Sequence, residues 1–377
     1  MRTSLLSSAL ALLCTVALAN ELQANEGQAK EFRSEEKVVH IYNWSDYITE
    51  DALKAFTVQT GIKVVYDVYD SNETLEAKLL AGSSGYDVVF TTARPFAARQ
   101  IRGGIFQKLD KSKLPNFVNL DPAIMRSLAD VDAKAEYVAP YMWGTTGIGY
   151  NVAKVQAALG TQAPIDSWSL IFNPGNAQKL AGCGISILDD EVEGLAAVMV
   201  AMGRPPQSGS KVDLDAAQAA FAKIRPHVRY FHSSRYIDDL ANGEICVAMG
   251  YSGDVIQAQN RAIEAKNGID VRYSIPKEGA VRWVDLMAMP KDAPHPGNAH
   301  LFVNYLLEPK VIAGISNYVG YANANARATS LVDASIRNNP GIYPPPATTV
   351  KLVDNTTAKP DEARARVRTW TKIKSGR

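Results

Sequence analysis

Two hydrophobic periods alternate along the first part of the chain. VVHIY (38–42), IKVVYDVYD (62–70) and YDVVF (86–90) are short runs rich in β-branched and aromatic residues, and they predict strands. Between them, TEDALKAFTVQTG (49–61) has acids in its first turn and Gly61 after its end. SNETLEAKLLAGSSG (71–85) sets Leu75 and Leu79 on one face, so both stretches predict helices. Strand–helix–strand repetition at this spacing predicts βαβ units and a parallel sheet. Such sheets hold ligands outside the carboxyl ends of their strands. Asn43–Tyr47 and Thr91–Phe96 follow strands at such ends.

Farther on, PYMWGTTGIGYN (140–151) shows no helical period and is a candidate hinge between lobes. DDEVEGLAAVMVAMG (189–203) predicts a helix with an acidic start, and EICVAMGYSGD (244–254) a strand and its exit. Residues 269–290 read as strands around a turn at Pro276–Gly279, and HPGNAHLFVNYLLEP (295–309) as a helix. The basic end, VRTWTKIKSGR (367–377), reads as a solvated helix face rather than a nucleic-acid contact, because the rest of the chain is neutral.

The chain has 377 residues, more than one core comfortably holds, which favours two domains. Residues 1–19 read as a signal peptide: one Arg, an apolar run too short to remain as a membrane span, then Ala17-Leu18-Ala19. A lipid anchor on Cys14 is disfavoured because the bulky Leu13 precedes it. Residues 20–36 are polar and aperiodic, as in a disordered leader. The cleaved chain loses one Arg and no acid, leaving a net charge of zero, which argues against nucleic acid as a partner. No other apolar run reaches membrane length. Cleavage also leaves two cysteines, Cys183 and Cys246; in an exported chain they suggest one disulfide, with two separate buried thiols as the alternative.

Enzymatic motifs are weak. GYSGD (250–254) lacks the final glycine of a nucleophile elbow. In HSS (232–234), neighbours along a strand would point apart. GTTGIGYN (144–151) lacks the lysine of a phosphate loop and the third glycine of a dinucleotide fingerprint. The histidines show no metal spacing, no metal or cofactor is implied, and the acids of DDEVE suit a helix start better than calcium. A ferric-ion site would want paired tyrosines, and no Tyr-Tyr occurs. Carboxylate–aromatic groups recur instead at the expected strand ends: Trp44 with Asp46 and Tyr47, Tyr251 with Asp254, Trp283 with Asp285. An ammonium wants this pairing, a π face for its charge and a carboxylate for its N–H donors.

Long stretches carry a family resemblance: HIYNWSDYI, TGIKVVYDVYDSNETLEAKLLAGSSGYDVV, LDKSKLPN, PYMWGTTGIGYNVAKV, RYFHSSRYIDDLANGEICVAMGYSGDV, NGIDVRYSIPKEGA and YANANARAT. Over nearly all of its mature length the chain resembles the periplasmic putrescine/spermidine-binding proteins of bacterial polyamine ABC importers. The resemblance implies a two-lobed α/β periplasmic-binding-protein fold of type II. Each lobe would be a mainly parallel sheet flanked by helices, one built from 37–139 and 262–334, the other from 140–261 and 335–377. A polyamine would sit in the interlobe cleft. Trp44, Ser45, Asp46, Tyr47, Glu193, Tyr251, Asp254, Trp283, Asp285 and Tyr321 would line it, with Thr92 nearest to a family serine. Trp44 would wall the alkyl chain while Ser45 and Asp46 help hold an ammonium. The resemblance also implies that Cys183 pairs with Cys246, that a membrane permease is the partner, and that the protein is a periplasmic monomer and not an enzyme. A sensory module signalling to a membrane receptor would use the same site.

The chain departs from the family at FTTARPF (90–96), which is one residue longer than the usual Pro-Ser stretch, at Tyr251 for Trp, at Trp283 for Phe, and at Gly320 for a bulkier residue. The wider indole at 283 tips the expected preference slightly toward spermidine over putrescine.

Overall fold

The computed structural model describes residues 35–376. The expected signal peptide and nearly all of the expected leader lie outside the described residues. Glu35, at the leader's end, is part of the fold: its carboxylate accepts the Gly297 and Asn298 N–H groups, at 2.8 and 2.9 Å. Those are open donors in the first turn of helix Pro296–Leu306.

In the first lobe, β1 (Val38–Trp44), β2 (Lys63–Tyr69) and β3 (Val88–Thr92) are parallel, as expected. Helix Glu50–Thr60 joins β1 to β2, with Thr49 as its N-cap and Gly61 in the left-handed region (φ 70°) ending it. Helix Asn72–Leu80 follows β2 and buries Leu75 and Leu79.

The candidate hinge is a 14-residue strand, β4 (Val138–Asn151). Its first part pairs antiparallel with β9 (Ala280–Ala288). Its second part pairs with β7 (Val247–Tyr251) and β8 (Val271–Ser274). In the second lobe β5 (Ile185–Ile187) lies parallel to both β6 (Val228–Phe231) and β7. The strand order is β2-β1-β3-β9-β4-β7-β5-β6, with β4 pairing β9 on one side and β7 on the other. The glycines of GTTGIGYN are explained by close approach: a Cβ on Gly144 would stand 2.7 Å from the Trp283 ring, directly across the ladder.

The buried apolar residues form two hydrophobic cores. Val271 packs in the second core, and β8 pairs only with the second part of β4. Ile336 and Ile342 pack in the first core. The basic end is not merely a solvated face: helix Pro360–Ser375 buries Trp370 and Ile373 in the second core. Cys183 and Cys246 form a disulfide, with Cα atoms 5.5 Å apart, just ahead of the neighbouring strands β5 and β7.

Candidate functional site

A narrow cavity of about 60 Å³ lies between the lobes. Ten of the eleven residues expected at a site line it: Trp44, Ser45, Tyr47, Thr92, Glu193, Tyr251, Asp254, Trp283, Asp285 and Tyr321. Trp44, Thr92 and Tyr251 are the last residues of β1, β3 and β7, at the carboxyl ends where an open sheet keeps its ligands. Trp283 and Asp285 were expected at a strand exit. They lie instead mid-way along β9, two residues apart, so both face the same side of the strand. Thr91 is fully buried and donates to Gln100 Oε1 at 2.9 Å, whereas Thr92 lines the cavity.

Asp46 is the exception. Its positive φ of 55° turns the chain after Trp44 and carries the carboxylate away from the cavity. There it pairs with Arg261 at 2.6 Å, on the second-lobe helix Ser252–Ala265, while its carbonyl accepts from Gln257 Nε2 at 3.3 Å. Asp46 thus stands outside the cavity lining, engaged in this ion pair.

The aromatic side chains form a continuous wall. The Trp283 ring meets Tyr251 at 5.6 Å and Tyr321 at 5.3 Å, both edge-on, and Tyr321 meets Tyr47 at 5.2 Å. Trp44 tilts against Tyr69, its partner across the β1–β2 ladder, at 4.7 Å. Gly253 allows the Tyr321 ring to come in: a Cβ there would lie 2.4 Å from it.

The acids are buried among these rings. Asp254 accepts from Tyr321 Oη at 2.5 Å and from Tyr236 Oη at 2.7 Å. Asp285 accepts from Thr92 Oγ1 at 2.7 Å, and Thr92 Oγ1 accepts in turn from Asn72 Nδ2 at 3.1 Å. The Tyr47 hydroxyl lies near Asp285 without a well-formed hydrogen bond. Burial pushes both aspartates up to about 6, against the pull of these hydroxyls. Glu193 is pushed up to about 8, first by burial and then by the charge of Asp190. Asn355 Nδ2 donates to Glu193 Oε1 at 2.8 Å, and Oε2 has no partner among the described residues. Asp190 caps helix Glu191–Ala201 and accepts from Tyr251 Oη at 3.3 Å.

Several lining residues escaped the sequence reading. Tyr69 ends β2 just as Trp44 ends β1, and Asp70 follows it, so the strand-end rule could have found both. Asn72 is the first residue of its helix, and Asp190 the cap of another. Asn355 follows β11 (Leu352–Asp354) and carried no local signal. HSS, rejected because neighbours in a strand diverge, is in fact a turn: His232 Nδ1 accepts the Ser234 and Arg235 N–H groups, both at 3.2 Å. The Ser234 hydroxyl stands 3.4 Å from that same nitrogen, while Ser233 and Ser234 line the cavity. Among the described residues there is no His, Cys, Asp and Glu cluster able to hold a metal, and no helix long and apolar enough to cross a membrane.

Comparison with known proteins agrees with this architecture. A putrescine-binding periplasmic protein of Pseudomonas aeruginosa is 55% identical over 344 residues, covering 91% of this chain and 94% of its own. A putrescine-binding periplasmic protein of Escherichia coli is 54% identical over 345 residues, covering 91% and 93%. A solved protein of Listeria monocytogenes, 29% identical, superposes with a TM-score of 0.80 over 91% of this chain and all of its own. Residues 51–344 match the pattern of one family, described as bacterial extracellular solute-binding protein. With that match and more than half of the aligned positions shared with two such relatives, the chain belongs to the bacterial extracellular solute-binding protein family.

Proposed function

We propose that this protein captures a polyamine in the periplasm, with putrescine as the preferred ligand, and delivers it to the membrane permease of an ABC importer. One observation carries the reading: Asp254 and Asp285 are buried in a single cavity with only hydroxyl partners, and indole and phenol rings stand between them. A buried carboxylate without a cation is costly. A ligand carrying an ammonium at each end and methylenes between removes that cost at both sites, while the rings receive its apolar middle.

The slight lean toward spermidine drawn from Trp283 gives way here, because the relatives sharing over half of their aligned residues with this chain are named for putrescine. The protein acts as a binder and not as a catalyst: His232, the one imidazole beside the cavity serines, is engaged by the backbone of its own turn. It works as a monomer, exported by the N-terminal signal segment. Calorimetry of the purified mature chain against di- and polyamines, with amino acids as controls, tests the reading. Binding of putrescine with amino acids silent supports it, and heats for amino acids but none for any amine overturns it.

A further inference from the structure

The cavity wall contains five carboxylates, Asp70, Asp190, Glu193, Asp254 and Asp285, and a single cationic side chain, Arg94. A guanidinium is an unexpected neighbour for an ammonium. Resting on the function proposed above, we propose that Arg94 makes the site a diamine filter: it denies a third ammonium a place along the wall it occupies.

Arg94 stands two residues beyond Thr92, which holds Asp285, and it falls in the lengthened FTTARPF stretch. It is 9% exposed, whereas the side chain of its partner Asp130 is 68% exposed. Arg94 Nε donates to Asp130 Oδ2 at 2.9 Å, and Nη2 donates to Asp130 Oδ1 and the Ser127 carbonyl. These bonds hold the Asp130 carboxyl below its usual range and fix the guanidinium in place. The pair is neutral in sum but not in space. Water screens the exposed carboxylate, while the buried guanidinium keeps its charge at the cavity. Nη1 has no partner among the described residues, so this wall presents donors only.

An ammonium has donors and no acceptor. Placed against Arg94 it would lose its water, gain no hydrogen bond and face a like charge. Methylenes suffer neither loss, and they pack on the flat guanidinium face. A ligand with two terminal ammonium groups and an uninterrupted carbon chain therefore fits. One with an additional ammonium along the chain, or an extension ending in one, is rejected.

The test compares putrescine and spermidine affinities by calorimetry in wild type, Arg94→Gln, Arg94→Lys and Asp130→Asn. Wild type should prefer putrescine. Arg94→Gln, which keeps hydrogen-bonding bulk and removes the charge, should shrink the putrescine-to-spermidine preference at least tenfold. Arg94→Lys should retain the preference. Asp130→Asn leaves the arginine in place and strips its outer counter-charge, so it should widen the preference several-fold even if the Arg94 variants fold poorly. If Arg94→Gln moves both affinities together, or Asp130→Asn leaves the ratio fixed, Arg94 is a structural wall and the proposal falls. If wild type binds neither amine, the functional reading itself fails, a result distinct from any change in ratio.

Discussion

The two buried aspartates differ in how their surroundings prepare them. Asp254 sits in the first turn of helix Ser252–Ala265, and each of its oxygens accepts from a tyrosine hydroxyl. Asp285 lies within β9, opposite Thr92 of β3, and only Oδ1 has a well-formed partner, the Thr92 hydroxyl. Burial nevertheless pushes both carboxyls to about 6. The helix N-terminus and two phenols make Asp254 part of the packing of its lobe. Asp285, with fewer donors, depends more on what enters the cavity. Under the proposed function, one acid serves structure and binding together and the other mainly binding.

The largest expected effect separates these roles directly. Asp285→Ala and Asp254→Ala should each cost roughly 3–5 kcal/mol of diamine binding, because each leaves a buried ammonium unpaired. Only Asp254→Ala should also lower the melting temperature of the ligand-free protein, since it strands the Tyr236 and Tyr321 hydroxyls, a loss of roughly 1–3 kcal/mol. Equal stability losses in the two variants would erase the distinction.

Acidity tests the feature the two sites share. A carboxylate that is protonated below about 6 must give up its proton before it can pair with an ammonium. Affinity at pH 5 should thus be lower than at pH 7 by about tenfold for each such site, or ~1.4 kcal/mol. Stability of the ligand-free protein should run the opposite way. Both pKa values are raised above the ordinary 3.8, so the folded state holds protons that the unfolded state has released. That contribution is complete below about 3.8 and is lost as pH rises through about 6. Calorimetry and thermal melts across pH 4.5–7.5 measure both trends, and a flat affinity profile would count against ionised aspartates as the ligand contacts.

A smaller change sharpens the contrast in donors. Thr92→Val removes the only well-formed donor to Asp285, whereas Tyr321→Phe leaves Asp254 with Tyr236. Each should cost about 1.5 kcal/mol of binding. The midpoint of the pH profile should rise more for Thr92→Val, because the less supported carboxylate loses its remaining hydroxyl. Identical profiles would show that burial alone sets both groups.

The smallest effect belongs to the acid outside the cavity. Asp46 pairs with Arg261, and the two side chains are 40% and 34% exposed. Asp46→Asn should weaken binding by less than about 1 kcal/mol, the range of a solvated ion pair. A loss matching that of Asp285→Ala would return Asp46 to the list of direct ligand contacts.

Most of the elements were legible because local rules act over short distances. The alternating runs of β1 to β3, the acidic first turn and Gly61 stop of helix Glu50–Thr60, and the acidic start of helix Glu191–Ala201 each depend on near neighbours in the chain. The strand-end rule located Trp44, Thr92 and Tyr251, and the same rule applied to β2 would have added Tyr69. Other features depended on distant partners. Nothing near Asp46 in the chain announces Arg261, 215 positions away, and nothing near Asn355 announces Glu193, 162 positions away. PYMWGTTGIGYN was an ambiguous run until β9 and β7 supplied its two sets of ladder partners.

The sequence alone determined the chemistry available to this protein: carboxylates beside aromatic rings, and alternating strand and helix runs that leave such residues at strand ends. It did so because residue type and hydrophobic period are local properties. The tertiary structure decided which carboxylates face one another across the cavity, which one turns away to bridge the lobes, and that a lone arginine joins an otherwise acidic wall. Those outcomes depend on burial and on contacts between segments hundreds of residues apart, and a carboxylate's behaviour is set by the water and partners it loses or gains when those segments meet.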